Sequence, residues 1–146
     1  MKKRCAFILV LFTITLPLAP GCTSEEKNAQ ALYKEGIELR KKGKPKEAFD
    51  VFKEVINKFP STETTAKIYD MWKEEISMSL KLFELDNGTY PTTEDGLTPL
   101  VQNVSPSRYK NWRGRGYMQY PQTAIEIFKY FSYRKTGDND FQLTLK

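Results

Sequence analysis

The sequence LKLFELDNGTYPTTEDGLTPLV (residues 80–101) joins the end of one helix to a tight turn and the start of a second, shorter helix. Asp86-Asn87-Gly88 interrupts the helical pattern, and Tyr90-Pro91 is extended because proline disfavours a helical conformation in the residue before it. Thr92 or Thr93 is placed to cap the second helix with its hydroxyl, and Pro99 with the loop beyond it ends that helix. We interpret the rest of the chain outward from this segment.

The helix that ends in this segment is predicted to start at Thr62 or Thr64 and to run to about Asp86. Its apolar residues form two stripes, one with Ile68, Tyr69, Trp72, Ile76, Leu80 and Phe83 and the other with Met71, Met78, Leu82 and Leu85. Together the stripes make an apolar face wider than a surface helix normally shows. We therefore expect this helix to be covered from two directions, by the preceding hairpin and by a C-terminal sheet.

The C-terminal part of the chain is predicted to form that sheet. Residues 123–135 are rich in Ile, Phe and Tyr and predict a strand, and Thr136 to Asp140 predict a turn rather than a calcium loop. Phe141, Leu143 and Leu145 alternate with polar residues, as in a half-buried strand. The predicted class is α+β, with an N-terminal helical hairpin followed by a long helix packed on a small antiparallel sheet.

The N-terminal hairpin is predicted over residues 25–62, with Lys41-Lys42-Gly43 ending its first helix and Pro45 opening its second. Gly36, Ala48, Phe52 and Pro60 are spaced as in one tetratricopeptide repeat, which the hairpin resembles. No second copy follows about 34 residues further on. The resemblance implies a protein-binding groove lined by Tyr33, Ile37, Arg40 and Lys41, whereas a lone repeat also suits a packing unit or spacer.

Residues 76–146 resemble the C-terminal domain of the major pseudopilin of bacterial type II secretion systems. The resemblance is carried by the D-N-G-x-Y-P-T-T-E-x-G-L segment, and then by the segments 110–114, 131–134 and 140–143 with Tyr117. It implies a pseudopilin-like fold in a secretion setting. The family's calcium-binding loop and its apolar polymerisation helix have no counterpart here, so we do not expect assembly into a pseudopilus by the family's mechanism.

Residues 1–22 have the order of a targeting segment. A positive leader, Met1 to Arg4, precedes an apolar run from Ala6 to Leu18 that is short for a membrane span, and Gly21-Cys22 follows. This order resembles a bacterial lipoprotein signal and implies cleavage and acylation at Cys22, the alternative being an ordinary secretory signal. The absence of aspartate after the cysteine implies an outer-membrane anchor facing the periplasm. The predicted divisions are a signal peptide (1–21), a repeat-like hairpin (22–62) and a pseudopilin-like domain (63–146).

Composition argues against catalysis and against a nucleic-acid partner. The chain has no histidine, and its only cysteine beyond the signal is the predicted acylation site, so we predict no catalytic residue, metal site or cofactor. Three of the five net positive charges lie in the leader. We predict a non-enzymatic envelope lipoprotein that binds envelope proteins as an accessory of a type II secretion or pilus-like machine. The alternatives are a structural lipoprotein that reuses the fold and, more distantly, a hydrolase.

Overall fold

The computed structural model describes residues 24–146. Four α-helices precede a two-stranded sheet along this part of the chain. They are α1 (Ser24–Lys41), α2 (Pro45–Lys58), α3 (Glu63–Asn87) and α4 (Pro121–Phe128), and the strands are β1 (Phe131–Gly137) and β2 (Asp140–Leu145), with a 3₁₀ turn at Thr98–Leu100. The predicted α+β class is therefore confirmed. The predicted signal peptide and the lipidation site at Cys22 lie outside the described residues.

Helices α1 and α2 form the helical hairpin, and a glycine on α1 allows them to pack closely. A Cβ atom built at Gly36 would lie only 2.5 Å from Cε1 of Phe52. The ring of Phe52 therefore occupies the space that any larger side chain at position 36 would need. Ala48 and Phe52 on α2 are each 1% exposed, so this contact lies in the core.

The first turn of α1 is also tied to the first turn of α3 by a buried carboxylate. Glu26 accepts hydrogen bonds from the Thr64 hydroxyl at 2.6 Å and from Nε2 of Gln30 at 2.9 Å. The bond from Thr64 is the main reason that the pKa of Glu26 is lowered. This contact fixes where the hairpin begins relative to the long helix.

Helix α3 has the predicted ends. Thr62 caps it, since its hydroxyl accepts a hydrogen bond from the Thr65 N–H at 3.2 Å. Gly88 ends it with a φ of 72°, a left-handed conformation that suits glycine, and its N–H donates to the Glu84 carbonyl at 2.7 Å. The first predicted stripe forms the centre of the core, with Ile68, Trp72, Ile76, Leu80 and Phe83 each 1% exposed or less.

The hairpin and the C-terminal sheet both contact α3 as expected, but the expectation that they cover its whole apolar face was wrong for the second stripe. Met78, Leu82 and Leu85 are 60%, 39% and 75% exposed. The hairpin and the C-terminal segments pack on the first stripe instead, and only Met71 of the second stripe is partly buried against the core. Helix α3 therefore carries a row of exposed apolar side chains on its outer side.

The predicted short helix after Tyr90-Pro91 is a pair of turns instead. The Thr92 hydroxyl does accept a hydrogen bond from the Asp95 N–H at 3.2 Å, as a helix cap would. Gly96 then adopts a φ of 60°, which ends the helical conformation after one turn, and a 3₁₀ turn follows with Pro99 inside it. The cap was predicted correctly and the length of the element was not.

The strand predicted over residues 123–135 was wrong in its first half. Pro121 opens helix α4, where its missing N–H costs nothing, and Ala124 and Ile127 are buried on one side of that helix. Only from Phe131 does the chain become the strand β1. Aromatic and β-branched residues favour a strand, but tertiary packing of a short helical face overrides that preference here.

Strands β1 and β2 form the predicted antiparallel hairpin, with Phe131 opposite Leu145 and Tyr133 opposite Leu143. The hydroxyl of Tyr133 donates to the Pro91 carbonyl at 2.7 Å, which holds the sheet against the segment that follows α3. Ring contacts continue the core toward the hairpin of α1 and α2, because Trp72 lies 5.7 Å from Phe49 and 5.4 Å from Tyr130 between ring centroids. One connected core therefore joins the helical hairpin, α3 and the C-terminal segments.

Candidate functional site

A deep cleft of about 430 Å³ lies where the hairpin meets the segment that leads into α4. Its walls come from the end of α1, the start of α2, the middle of α3 and residues 117–127. The side chains that line it are mainly aromatic and aliphatic: Pro45, Ala48, Phe49, Phe52, Trp72, Met78, Leu82, Tyr117, Met118, Tyr120, Ala124 and Ile127. A volume of this size is within the usual range of roughly 300–1,000 Å³ for sites that bind small molecules.

The cleft is closed at its base, and both apolar and charged side chains lie at its mouth. Ala48, Phe52, Trp72 and Ala124 line it and are each only 1% exposed, so they form its floor. Met78 and Leu82, the exposed side chains of α3, lie at its rim. The exposed apolar row on α3 therefore leads into the cleft.

The charged groups that line the cleft neutralise each other. The Arg40 guanidinium forms an ion pair with the Glu75 carboxylate and also donates to Sδ of Met71 at 3.1 Å. The two charged side chains are about one third exposed, at 29% and 32%. A ligand in the cleft would thus meet a closed ion pair at the rim.

Two polar side chains of the cleft, Ser79 and Tyr117, form intramolecular hydrogen bonds. The hydroxyl of Ser79 donates to the Tyr117 carbonyl at 3.1 Å, so it is held by the backbone. Burial raises the pKa of Tyr117, and Nδ2 of Asn87 donates to its phenol oxygen at 2.9 Å. Within residues 24–146, no group of three or more acidic, histidine or cysteine side chains is placed to hold a metal ion.

The four residues predicted to line a groove on α1 lie in different surroundings. Tyr33 packs on Phe52 with 5.8 Å between ring centroids, and Ile37 is partly buried against the core. Arg40 lines the cleft, whereas Lys41 is exposed and pairs with Glu38 on its own helix at 2.7 Å. A role for these residues in binding a partner stays a prediction.

The basic and aromatic loop after Val101 is held by two acidic side chains, Asp86 at the end of α3 and Asp95 in the turns that follow α3. Asp95 accepts hydrogen bonds from the Tyr109 hydroxyl at 2.6 Å and from Nη1 of Arg108 at 2.7 Å, and the bond from Tyr109 is the main cause of its lowered pKa. Asp86 pairs with Arg113 in the same way, and Arg113 lowers the pKa of Asp86. This loop is therefore occupied with intramolecular contacts.

Aromatic packing explains why the loop carries so many rings. Tyr109 and Tyr117 lie 4.9 and 5.0 Å from the ring of Phe83 on α3, between centroids. Trp112 donates its indole N–H to the Pro99 carbonyl at 2.7 Å. Tyr109 and Tyr117 therefore dock the loop onto the long helix.

Sequence reasoning missed the residues that build the cleft from the C-terminal side. Met118, Ala124 and Ile127 were not proposed as site residues, and the last two lie in the segment 123–135 that was interpreted as a strand. The signal that identifies them is Pro121, a residue favoured in the first turn of a helix, followed by apolar residues three apart. Their meeting with α2 and α3 depends on tertiary packing, which this spacing does not encode.

Comparison with known proteins gives one family. The family model for type II secretion system (T2SS), protein G, matches residues 54–146. Neither the search of curated proteins nor the search of solved structures returned a match. The part of the chain that the structure describes contains no helix long and apolar enough to span a membrane.

Proposed function

The chain belongs to the family of type II secretion system protein G, and from this premise we propose that it is a non-enzymatic accessory component of a type II secretion or pilus-like machine. The observation that carries the proposal is the match over residues 54–146, which includes all of α3, α4 and the β-hairpin. A pseudopilin-related role follows from that match. The accessory role, as opposed to a role as a polymerising subunit, is our proposal.

The proposed anchor is a lipid on Cys22. The leader, the apolar run and Gly21-Cys22 support it, and by the absence of aspartate after the cysteine we place the protein at the outer membrane, facing the periplasm. Several acyl chains on one cysteine would hold the protein permanently, since each buried methylene contributes about 0.8 kcal/mol. Labelling cells with a radioactive fatty acid tests this directly, because a Cys22→Ala variant should lose the label.

The helical hairpin is the proposed contact for secretion proteins. We retain the division into a repeat-like hairpin (22–62) and a pseudopilin-like domain (63–146), and we retain the α1 face of Tyr33, Ile37, Arg40 and Lys41 as the candidate contact surface. Lys41 is the most accessible of the four, with 67% of its side chain exposed. The partners we propose are envelope proteins that belong to the secretion or pilus machinery.

Site-specific photocrosslinking of the lipidated protein in its native envelope tests this role. A crosslinking amino acid at Lys41 should capture a pseudopilin, a secretin or another secretion component. The matched control is the same amino acid at Lys58, an exposed lysine at the far end of α2 with 62% of its side chain accessible. Capture from position 41 that is absent from position 58 supports the proposal.

The alternative is a structural envelope lipoprotein that reuses the domain without a secretion role. It predicts that both positions capture only abundant envelope proteins, and that deletion of the gene leaves secretion unchanged. If the two positions gave identical profiles without a secretion component, the accessory role would be rejected and this alternative would stand.

A further inference from the structure

The geometry points to the cleft between the hairpin and α4 as a binding site for a single hydrocarbon chain, such as the acyl chain of a fatty acid or of a membrane lipid. This goes beyond the accessory role proposed above and does not depend on it. It also does not depend on lipidation of Cys22. Size, wall chemistry and the shape of the mouth support it in turn.

The size of the cleft suits one long hydrocarbon chain. Its volume of about 430 Å³ is nearly three times the roughly 150 Å³ of an engineered apolar cavity that holds one benzene molecule. By that comparison the cleft has room for a chain on the order of 15 carbon atoms. A single branched amino-acid side chain would leave most of this volume empty.

The walls favour hydrocarbon over polar ligands. Trp72 and Phe49 present stacked rings with 5.7 Å between their centroids. Ser79, one of the polar residues near the floor, already uses its hydroxyl on the Tyr117 carbonyl. A polar ligand buried here would lose its hydrogen bonds to water, which is costly, whereas an apolar chain gains in proportion to its buried area.

The mouth is suited to an amphiphile whose head remains in water. The Arg40–Glu75 ion pair lies at the rim, together with the exposed side chains Met78 and Leu82. Methionine is flexible and polarisable, and therefore adapts to chains of different curvature. The chain would enter past Met78 and Leu82, and its head would stay beside the ion pair.

The shape of the cleft also favours a hydrocarbon chain over a docked helix as its ligand. Ala48, Phe52, Trp72 and Ala124 line the cleft but are only 1% exposed. A helix with its side chains is about 10 Å across, so it would cover the mouth without reaching this floor. A hydrocarbon chain is narrow enough to enter the cleft, where it would lie against the more accessible wall residues Phe49, Tyr117 and Met118.

Quenching of Trp72 by a brominated fatty acid provides the test. The protein is the full chain with Cys22→Ser, which removes the acylation site, and with Trp112→Phe, which leaves Trp72 as its only tryptophan. The probe is dibromostearate in detergent-free buffer, below its micelle-forming concentration. Because bromine quenches tryptophan emission only over a short range, a hydrocarbon chain bound over Trp72 should reduce its emission by more than half in a saturable titration.

A competition series measures whether the hydrocarbon chain of the fatty acid is recognised. Laurate, myristate and palmitate differ in steps of two methylenes, and each step should change the competing affinity roughly tenfold. A second arm replaces the fatty acid with vesicles of brominated phosphatidylcholine. Quenching by vesicles assigns the site to membrane lipid, and quenching by the monomeric acid alone assigns it to free fatty acids.

Two exposed residues of α3 form a matched pair of variants. Met78→Glu places a charge at the mouth and should weaken binding at least tenfold, whereas Leu85→Glu lies on the same helix but does not line the cleft and should leave binding unchanged. Both side chains are mostly exposed, so both variants should fold. Ala124→Met, which fills the cleft, should abolish quenching if its unfolding curve shows that it is folded.

Three results would overturn the proposal. One is the absence of Trp72 quenching by the monomeric acid and by the vesicles, and another is quenching that does not depend on chain length. The third is equal binding by the Met78→Glu and Leu85→Glu variants. If a leucine-rich amphipathic peptide shifted the Trp72 emission where fatty acids failed, the cleft would be a peptide site instead.

Discussion

The contact between Gly36 and Phe52 predicts a large effect of adding a single methyl group. A Cβ at position 36 would lie 2.5 Å from Cε1 and 2.9 Å from Cδ1 and Cζ of the Phe52 ring. That ring cannot easily move aside, since it is 1% exposed and packs between Tyr33 and Trp72 at 5.8 and 6.4 Å. The substitution Gly36→Ala therefore forces the hairpin to shift.

The magnitude follows from two opposing effects. Overpacking a tight core costs about 1–3 kcal/mol, whereas replacing glycine by alanine inside a helix contributes about 0.5–1 kcal/mol of stability. We expect Gly36→Ala to lower the free energy of unfolding by about 1–2 kcal/mol. In a Phe52→Leu background the ring is gone, so the same substitution should be neutral or stabilising by up to about 1 kcal/mol.

Urea-induced unfolding measures both effects, followed by tryptophan fluorescence and far-UV circular dichroism to check that the transitions coincide. Gly114→Ala is the matched control, because a Cβ there meets no atom within 4 Å, and its change should stay within about 0.5 kcal/mol. A stabilised Gly36→Ala protein, or the same cost in both backgrounds, would refute the reasoning from this contact.

Three further predictions concern the core, the loop and metal binding. Leu80→Ala should lower the free energy of unfolding by about 2–5 kcal/mol, whereas Leu85→Ala should change it by no more than about 0.5 kcal/mol, because these residues are 0% and 75% exposed. Equal costs of the two variants in urea titrations would contradict the orientation of α3. Tyr109→Phe leaves the Asp95 carboxylate and the Thr92 N–H without a buried partner and should cost about 1–3 kcal/mol. The pKa of Asp95 is depressed in the folded state, so its contribution to the free energy of unfolding is present above about pH 4 and is lost as pH falls further. Urea midpoints measured across acidic pH should therefore fall less steeply for Tyr109→Phe than for the unmodified protein. Calcium and chelators should leave the melting temperature unchanged, because the described residues hold no group of acidic side chains suited to the ion. A rise in melting temperature with calcium would contradict this prediction.

The parts of the fold that local chemistry determines were predictable from the sequence. Thr62 caps α3 and Gly88 ends it, as a hydroxyl before an apolar run and a glycine after it indicate. The C-terminal β-hairpin was predicted from alternation after a turn of polar residues, although its strands extend into the predicted turn and its register shifts between Lys135 and Gly137. The family resemblance also pointed to the C-terminal domain that the match over residues 54–146 supports.

The errors occurred where tertiary packing decides between local alternatives. Residues 123–128 have a strand-like composition, yet burial of Ala124 and Ile127 on one side makes them helical. The wide apolar face of α3 indicated burial from two sides, but a periodic pattern does not say which elements are available to cover it. The pattern therefore did not indicate that Met78 and Leu85 are exposed. The cleft could not be predicted either, because it depends on the position of α4.

The hairpin is part of the core of the domain that follows it, and this has a consequence for the cleft. The family match begins at residue 54, inside α2, yet Phe49 and Phe52 lie before that point and contact Trp72 of α3. Burying one large apolar side chain contributes about 1.5–3 kcal/mol, so the hairpin supplies a substantial share of the packing around Trp72. The same two phenylalanines also form a wall of the cleft. A shift of α2 that loosens the core must therefore also change the shape of the cleft, which couples the stability of the hairpin to binding there.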